Sequence, residues 1–318
     1  MTGKPLFFCI LLQMVPIIPI LQNLPPGPTA QTIDNVLLLI LMNKLWKMLD
    51  FLLLFVRYSF IMDANLVWED VKLGELIAVL SGKGGTGKTS VCAAVASALA
   101  LDGKRVLCVD CDVGLRNLDI SLGMSDSGAL SFLDVCSGDY ALSMAGHHPL
   151  IPDLHFLTAP MHCRADTIDP VAFNKFVRQA RQEYDFVFLD APAGVDAGFR
   201  LAASSADRCI LVTGPGPAAV RDAARVGELL ELMGKTNVRL VVNRVSARMV
   251  NAMETTIDDV MDTAGLPLLG IIPEDRNMTL SAAFSRPLLI YNRRCGASEA
   301  CMRIAKRLQG IPVPISLR

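Results

Sequence analysis

The feature that most constrains this chain of 318 residues is a glycine-rich segment, GKGGTGKT at 82–89, enclosed by two apolar stretches. The stretch ELIAVLS at 75–81 is typical of a buried parallel strand, and the alanine-rich stretch 90–100 is typical of a helix. Strand, glycine loop and helix in this order form the context that a phosphate-binding loop requires. A chance glycine turn would lack the lysine–threonine pair at its end. We therefore expect an α/β fold organised around this loop.

The pattern G-x-x-x-x-G-K-[ST] is met by Gly82, Gly87, Lys88 and Thr89. Glycines permit backbone turns that other residues avoid, so successive N–H groups can face phosphates, and the following helix N terminus adds partial positive charge. Lys88 is expected to neutralise the β- and γ-phosphates, and the Thr89 hydroxyl to ligate Mg²⁺. The loop therefore predicts a site for ATP and Mg²⁺. Its predicted nucleotide-binding residues are Lys83, Gly84, Gly85, Thr86, Gly87, Lys88, Thr89 and Ser90.

A second lysine stands inside the loop. Lys83 lies two residues before Gly85 and completes the pattern K-G-G-x-G-K-[ST], a deviant form of the Walker A motif. It places one more cation close to a triphosphate, and for that reason we count it with Lys88 among the catalytic candidates. The alternative is an exposed loop lysine without a role.

Two further apolar runs end in aspartate. The first, 104–110, ends at Asp110 and is followed by Asp112, and the second, 184–190, ends at Asp190. Ligands of open α/β sheets bind at the carboxyl ends of the strands, so these carboxylates are expected at the site. Asp190 has the Walker B form and is predicted to reach the Mg²⁺ shell. Asp112 is predicted to orient a water near the γ-phosphate or to bind Mg²⁺ through water. For Asp110 a structural hydrogen-bonding role stays equally open.

The rest of the pattern predicts the fold class. Further strands are predicted at 208–213, 238–243 and 268–273, and helices at 217–233 and 249–264. Strands that alternate with helices predict a doubly wound, mostly parallel sheet with helices on both faces, the fold of P-loop NTPases. Asn243 stands at a strand end, where its amide could read the adenine edge, with Arg244 beside it. An ordinary turn residue is the alternative for Asn243.

Cysteine and histidine usage does not predict a metal site. Nine cysteines, an odd number, indicate reduced thiols rather than a disulfide framework. Cys108 and Cys111 form a C-x-x-C, but in a strand their side chains would point to opposite faces. The four histidines, at 147, 148, 155 and 162, fall in a loop-like region, and we expect surface positions for them.

Composition divides the chain into an N-terminal extension, 1–61, and a main domain, 62–318. The mean hydropathy of +0.42 is high because 1–61 holds 37 apolar and six charged residues. Polar positions three or four apart within 33–62 fit an amphipathic helix lying on a membrane or an imperfect membrane span, and an over-extended gene start before Met62 is equally open. The main domain is nearly neutral, which argues against binding of nucleic acid through the net charge of the domain.

The chain resembles the MinD/ParA family of deviant Walker A ATPases, and within it the septum-site-determining MinD group. The resemblance covers about 75–310 and rests on four strings. They are SGKGGTGKT at 81–89, DCDVGLRNLD at 110–119, DAPAG at 190–194 and LGIIPED at 269–275. The second and fourth strings point to the MinD group in particular rather than to the MinD/ParA family in general.

This resemblance implies an ATPase that forms a homodimer when ATP is bound and regulates septum placement. It implies that Lys83 reaches the nucleotide of the opposite subunit, that Asp112 positions the hydrolytic water and that Asp190 is the Walker B acid. Pro273, Glu274 and Asp275 would lie at the nucleotide. The implied partners are a MinC-like division inhibitor and a MinE-like or other positioning regulator. The implied location is the cytoplasm, with peripheral contact to the inner face of the cell membrane. The alternative is a ParA-like DNA-segregation or a flagellar or other cargo-positioning ATPase.

The C-terminal segment departs from the family pattern. After a helix predicted over 298–309, only GIPVPISLR at 310–318 remains, and its two prolines exclude a normal amphipathic targeting helix. Membrane recruitment would then depend on 33–61 at the other end of the chain or on a partner.

Overall fold

A computed structural model describes residues 73–125, 128–161, 163–246 and 256–316, together with single helical positions elsewhere. The chain divides into two compact units, Met1–Val71 and Lys72–Arg318. In the first unit the described positions are all helical and exposed: Leu38, Leu41, Met42, Leu45 and Trp46. The predicted amphipathic segment 33–62 otherwise lies outside the described residues. Among the residues that the structure describes, no helix is long and apolar enough to cross a bilayer.

The second unit is built on one eight-stranded sheet. Its strands are β1 (Glu75–Leu80), β2 (Val106–Asp110), β3 (Gly146–His147), β4 (Leu154–Leu157), β5 (Phe186–Asp190), β6 (Arg208–Thr213), β7 (Val238–Val245) and β8 (Leu268–Pro273). The order is β3-β4-β2-β5-β1-β6-β7-β8, and every neighbouring pair is parallel except β3 with β4. The predicted mostly parallel, doubly wound sheet is confirmed.

Helices cover both faces of this sheet. They are α1 (Lys88–Leu101), α2 (Leu118–Leu122), α3 (Phe132–Cys136), α4 (Pro170–Glu183), α5 (Ala197–Ser205), α6 (Pro217–Leu232), α7 (Ile257–Ala264), α8 (Arg276–Ala283), α9 (Leu288–Tyr291) and α10 (Gly296–Leu308). One buried cluster joins the sheet to α3–α7, and a second joins it to α1, α2, α9 and α10. Both faces of the central strands are therefore removed from water, which explains why the interior positions of these strands are apolar.

Strand β1 illustrates the two-sided burial. Leu76, Ala78 and Leu80 face the first cluster, whereas Ile77 and Val79 face the second. Complete burial of one such aliphatic side chain contributes roughly 2 kcal/mol to folding. The sheet is thereby fixed in register, and the carboxyl ends of β1, β2 and β5 meet at one edge.

The same alternation separates the two cysteines of the C-x-x-C. Cys108 packs in the second cluster and Cys111 in the first, so the predicted divergence of their side chains is confirmed. Both thiols are buried and free, and burial raises the pKa of each of them.

The region of the histidines differs from the prediction. It contains two strands, β3 and β4, rather than a loop, and His148 is buried instead of lying on the surface. His148 Nδ1 accepts hydrogen bonds from the N–H groups of Leu150 and Ile151, and its Nε2 lies 2.9 Å from the Leu122 carbonyl. These bonds close a tight turn against α2, which makes the imidazole a structural element. His147 is exposed, His155 is half-buried, and His162 lies outside the described residues.

The predicted helix 249–264 is confirmed in its second half. Helix α7 begins after Thr256, whose side chain and that of Asp259 bond each other's backbone N–H groups in a capping box. It ends at Gly265, which has a φ of 65°. Within 247–255 the structure describes Arg248 and Ala252, both helical.

Candidate nucleotide site at the carboxyl edge of the sheet

The glycine-rich loop joins the end of β1 to the start of α1. Gly85 and Gly87 have φ angles of 82° and 84°, a left-handed conformation in which a side chain is strained. A Cβ at Gly87 would also collide with the Asn243 amide nitrogen. The loop therefore requires glycine at position 87 for its backbone angle and for the approach of β7.

The first functional cluster joins the loop to the end of β5. Lys88 Nζ lies 2.7 Å from Asp190 Oδ1, and the Thr89 hydroxyl donates to Asp190 Oδ2 at 2.8 Å. The side chains of Lys88 and Asp190 are only 6% and 1% exposed. The sequence motifs predict a phosphate ligand and two metal ligands at these positions, and the fold brings all three together across 102 residues of sequence.

Charge pairing governs the protonation of this cluster. Burial disfavours the charged form of Lys88, but the adjacent Asp190 carboxylate outweighs burial, and the pKa of Lys88 is raised overall. Lys88 therefore remains an ammonium ion at neutral pH. A buried ammonium with a carboxylate as partner can exchange that partner for a phosphate oxygen without a change of protonation.

The residues present fit a nucleotide and its divalent cation. The Thr89 hydroxyl and the Asp190 carboxylate are hard oxygen ligands, the type that Mg²⁺ prefers. Gly85 and Gly87 give the loop the backbone in which successive N–H groups can face an anion. Among the described residues, the hydroxyls of Ser81 and Thr86 are buried without a hydrogen-bond partner, which leaves polar atoms available at the loop.

Asp110 fastens the loop that carries Asp112. It lies directly opposite Asp190 in the register of β2 and β5. One of its carboxylate oxygens accepts from the Asp112 N–H at 2.9 Å, and the other accepts from the Leu118 N–H at 3.1 Å. Both ends of the segment 111–117 are thereby held, and of the two open roles for Asp110 the structure supports the hydrogen-bonding one.

Asp112 itself is half-buried at the same edge of the sheet. Burial raises its pKa, the ammonium of Lys88 opposes that shift, and Asp190 adds to it. A carboxyl group with a raised pKa at the mouth of a phosphate-binding loop is suited to accept or orient a proton.

The pKa of Asp110 supports a test by pH. Burial, with a further contribution from Asp190, raises the pKa of Asp110 to about 7. A carboxyl whose pKa is higher in the folded than in the unfolded protein stabilises the fold below pH 4, and this stabilisation is lost as the pH rises through 7. The Asp110 contribution should therefore lower the free energy of unfolding by about 2 kcal/mol between pH 5 and pH 7.

Asp110→Asn should remove most of that slope. Urea unfolding of the nucleotide-free protein at several pH values measures it, and the difference between the wild type and the variant isolates Asp110 from other titrating groups. Identical slopes for the two proteins would show that the Asp110 carboxyl is already ionised at pH 5.

The remaining predicted residues occupy different positions around the loop. Lys83 is exposed. Asn243 is buried, and its Nδ2 donates to the Thr86 carbonyl at 2.8 Å, so the amide is tied to the phosphate loop. The role of Asn243 in reading an adenine edge stays a prediction. Arg244 is exposed and has a φ of 59°.

Pro273 ends β8, and Glu274 and Asp275 follow it. Glu274 is exposed, and its N–H donates to the Val245 carbonyl. Asp275 caps α8 by accepting from the Asn277 N–H at 2.9 Å and also accepts from the Ala297 N–H at 3.2 Å. Burial opposes the ionisation of Asp275, but these hydrogen bonds outweigh it and lower its pKa. The carboxylate is therefore occupied within its own segment, and the roles of all three at a nucleotide stay predictions.

Comparison with known proteins agrees with this geometry. The family described as the CobQ/CobB/MinD/ParA nucleotide binding domain matches residues 77–288. The septum site-determining protein MinD of Synechocystis sp. is 36% identical over 244 residues, which cover 76% of this chain and 92% of that protein. Septum placement was the role that the motif strings suggested, and this similarity confirms the resemblance.

Solved structures of relatives share the fold. The MinC:MinD cell division protein complex of Aquifex aeolicus matches with a TM-score of 0.71 and 35% identity, over 76% of this chain and 98% of that one. MinD of Pyrococcus horikoshii OT3, complexed with Mg-ADP, matches with a TM-score of 0.65 and 28% identity, over 74% and 96% of the two chains.

Proposed function

Because this chain belongs to the MinD family within the CobQ/CobB/MinD/ParA nucleotide-binding domains, we propose that it is an ATP-hydrolysing switch that dimerises with ATP and regulates placement of the division septum. The observation that carries the proposal is the buried pair of Lys88 and Asp190, bonded to the half-buried Thr89 and lying beside Asp112. These are the groups that phosphoryl transfer needs, because its catalysis is mainly positioning and charge neutralisation.

Each side chain has a defined task in this proposal. Lys88 binds phosphate oxygens, while Thr89 and Asp190 hold the cation. Bound Mg²⁺ supplies neutralisation of the charge that develops on the phosphate oxygens. Asp112 orients the attacking water and is itself held in place by Asp110. The ATP-bound state, rather than the rate of hydrolysis, is the proposed output, because loops that contact a γ-phosphate can be ordered by it and released when it is hydrolysed.

Lys83 is proposed to act across the dimer. It is exposed on the loop, and among the described residues it has no carboxylate within 4.0 Å. An unpaired lysine on the rim of the site is free to approach a phosphate of the facing subunit. Lys83 of each subunit would then add positive charge to the nucleotide of the other, which makes dimerisation dependent on the triphosphate.

Lys83→Ala should therefore abolish ATP-dependent dimerisation and reduce ATP turnover at least about tenfold, while binding of ATP to the monomer weakens less than about fivefold. Light scattering after size exclusion measures the dimer, and phosphate release measures turnover. Lys175→Ala, at an exposed lysine of α4, is the matched control. A Lys83→Ala protein that still dimerises with ATP and hydrolyses it at the normal rate would refute the cross-subunit role.

We further propose a MinC-like division inhibitor and a MinE-like or other positioning regulator as partners of the ATP-bound dimer. The support is the similarity to the A. aeolicus protein that was solved in complex with MinC. The proposed location is the cytoplasm with peripheral contact to the inner face of the cell membrane. A ParA-like role would instead require a duplex-DNA-binding face on the ATP dimer, so retention on duplex DNA is the measurement that separates these functions.

A further inference from the structure

His148 is a buried imidazole whose two ring nitrogens are both bonded to the main chain. The residue is 3% exposed. The backbone nitrogens of Leu150 and Ile151 each lie 3.0 Å from Nδ1, and Nε2 lies 2.9 Å from the Leu122 carbonyl oxygen. A carbonyl can only accept, so Nε2 must carry a hydrogen, and the two N–H donors at Nδ1 require a free lone pair there. The surroundings therefore select one neutral tautomer of the ring.

A second proton on this ring is incompatible with the turn. Protonation of Nδ1 would set its N–H against the N–H groups of Leu150 and Ile151, so both hydrogen bonds would be lost. The imidazolium would also carry a charge at a position that water barely reaches. Burial accordingly lowers the pKa of His148, although the bond to the Leu122 carbonyl opposes that shift. The ring is therefore neutral at pH 7 and gains a proton only when the turn opens.

Charged and titratable groups on the elements around His148 do not govern its protonation. In the described part of the chain, these elements are α2, the turn after His148, the paired strands β3 and β4, and the segment that abuts Gly123 at the end of α2. Their charged and titratable residues are Asp119, Asp153, His147, His155 and Arg286. None of them shifts the pKa of His148, which burial and the Leu122 carbonyl govern. Titration of the ring is therefore coupled to its own hydrogen bonds.

The carbonyl that accepts from Nε2 belongs to the end of α2. A helix leaves its last carbonyls without an intrahelical partner, so this bond satisfies a buried group that the helix itself cannot. Leu118 and Leu122 are fully buried and fix one face of α2 in the second cluster. At the start of the helix, the Leu118 N–H donates to Asp110 Oδ2 at 3.1 Å. Two buried side chains, Asp110 and His148, therefore hold the two ends of α2.

Helix α2 is connected to Asp112 through Arg116. The Asp119 carboxylate of α2 lies 3.2 Å from Arg116 Nε, an ion pair whose N–H is not aligned for a hydrogen bond. The Arg116 N–H donates to the Asp112 carbonyl at 3.3 Å. Arg116 has a φ of 42°, a conformation that a residue with a side chain keeps only when its surroundings enforce it. A shift of α2 would remove that enforcement and move the main chain at Asp112.

We propose that His148 is a positioning residue for ATP hydrolysis, which holds α2 as a neutral imidazole and thereby keeps Asp112 where it can orient a water. Protonation of Nδ1 opens the turn 148–151, releases the end of α2 and lowers turnover. The equilibrium has two states, a bonded turn with a neutral ring and an open turn with a charged ring, and acid shifts it towards the second. The inference rests on the proposed function for the reaction at Asp112.

The direction of the pKa shift sets the pH range. The pKa of His148 is lower in the folded protein than the ordinary value of 6.5. The neutral ring therefore stabilises the fold in full above about pH 6.5, and this contribution is lost as the pH falls below that value. Loss of turnover through His148 should lie in the same range, below pH 6.5.

Two variants of the full chain test the two nitrogens separately, and neither new side chain titrates. His148→Asn places an acceptor near the position of Nδ1 but cannot reach the Leu122 carbonyl. His148→Gln places a donor near the position of Nε2 but offers the turn no acceptor. At pH 8, kcat for ATP should fall at least about fivefold in His148→Asn and less than about twofold in His148→Gln, while KM changes less than about twofold in both. A role confined to stability would leave kcat of the folded variants unchanged.

The pH profile supplies a second readout. The ratio of wild-type kcat to that of His148→Gln cancels the titrations that both proteins share, including those of Asp110 and Asp112. This ratio should be constant between pH 8 and pH 7 and fall at least about twofold by pH 5. His147→Gln, at the exposed imidazole of the preceding residue, is the matched control and should keep the wild-type profile. A ratio that is independent of pH, or a His148→Asn protein with wild-type kcat, would overturn the proposal.

Magnetic resonance of the wild type labelled with nitrogen-15 histidine needs no substitution in the protein that is measured. At pH 8, His148 should show an unprotonated Nδ1 and a protonated Nε2, and the spectrum of His148→Gln identifies its signals by their absence. A wild type that hydrolyses ATP with the opposite tautomer would refute only the role of His148. A wild type that has the expected tautomer but does not hydrolyse ATP would refute the proposed function, and the role of His148 in hydrolysis with it.

Discussion

Lys88→Met is expected to abolish nucleotide binding and to lower the free energy of unfolding by about 3 kcal/mol. Methionine keeps the buried aliphatic stem, so packing changes little. It removes the ammonium group that lies 2.7 Å from the Asp190 carboxylate. The hydrogen bond that Asp190 accepts from the Thr89 hydroxyl is kept. An uncompensated charge on a side chain that is only 1% exposed is costly because water cannot reach it. Urea unfolding measures stability, and a fluorescent ATP analogue measures binding.

The double variant Lys88→Met, Asp190→Asn separates the two effects. Removing the orphaned charge should restore at least half of the lost stability, because a neutral amide can still bond the Thr89 hydroxyl. Nucleotide binding should stay absent, since both the phosphate ligand and the cation ligand are gone. If the single variant were as stable as the wild type, the pair would have to be solvated in solution, contrary to its burial here.

The site was predictable wherever a residue type and its neighbours along the chain carry the chemistry. The sequence around Lys88 contains a strand, a turn that needs glycine and a helix. These local requirements leave little freedom for the conformation of the loop backbone. The contact between Lys88 and Asp190 spans 102 residues, so it follows from the order of the strands rather than from any local pattern. The prediction placed both residues at the site but did not pair them.

Asn243 and His148 make tertiary contacts that sequence patterns do not reveal. The bond from Asn243 to the Thr86 carbonyl depends on β7 approaching the loop at Gly87, and nothing at position 243 signals that approach. His148 was expected on the surface because short strands with prolines nearby are hard to tell from a loop. Its burial depends on the turn that packs against α2, a tertiary contact.

Asp112→Asn is expected to reduce ATP turnover at least about 100-fold while leaving ATP-dependent dimerisation intact. The amide is isosteric with the carboxylate, and the bond from its own N–H to Asp110 is kept, so the loop should hold its shape. The variant loses the negative charge that would orient the attacking water. Its ATP-bound dimer should therefore persist longer than that of the wild type, as seen by light scattering after rapid removal of free ATP.

The pH profile provides an independent readout of the same group. Burial raises the pKa of Asp112, and only the ionised carboxylate can accept a proton, so wild-type kcat should fall on the acid side above the pH expected for an ordinary aspartate. Asp112→Asn should lose that limb, whereas the control Asp258→Asn, at an exposed carboxylate of α7, should keep both the limb and the rate. If Asp112→Asn hydrolysed ATP at the wild-type rate, another group at this edge of the sheet would have to orient the water. Asp190, which is also an aspartate, would be the first candidate.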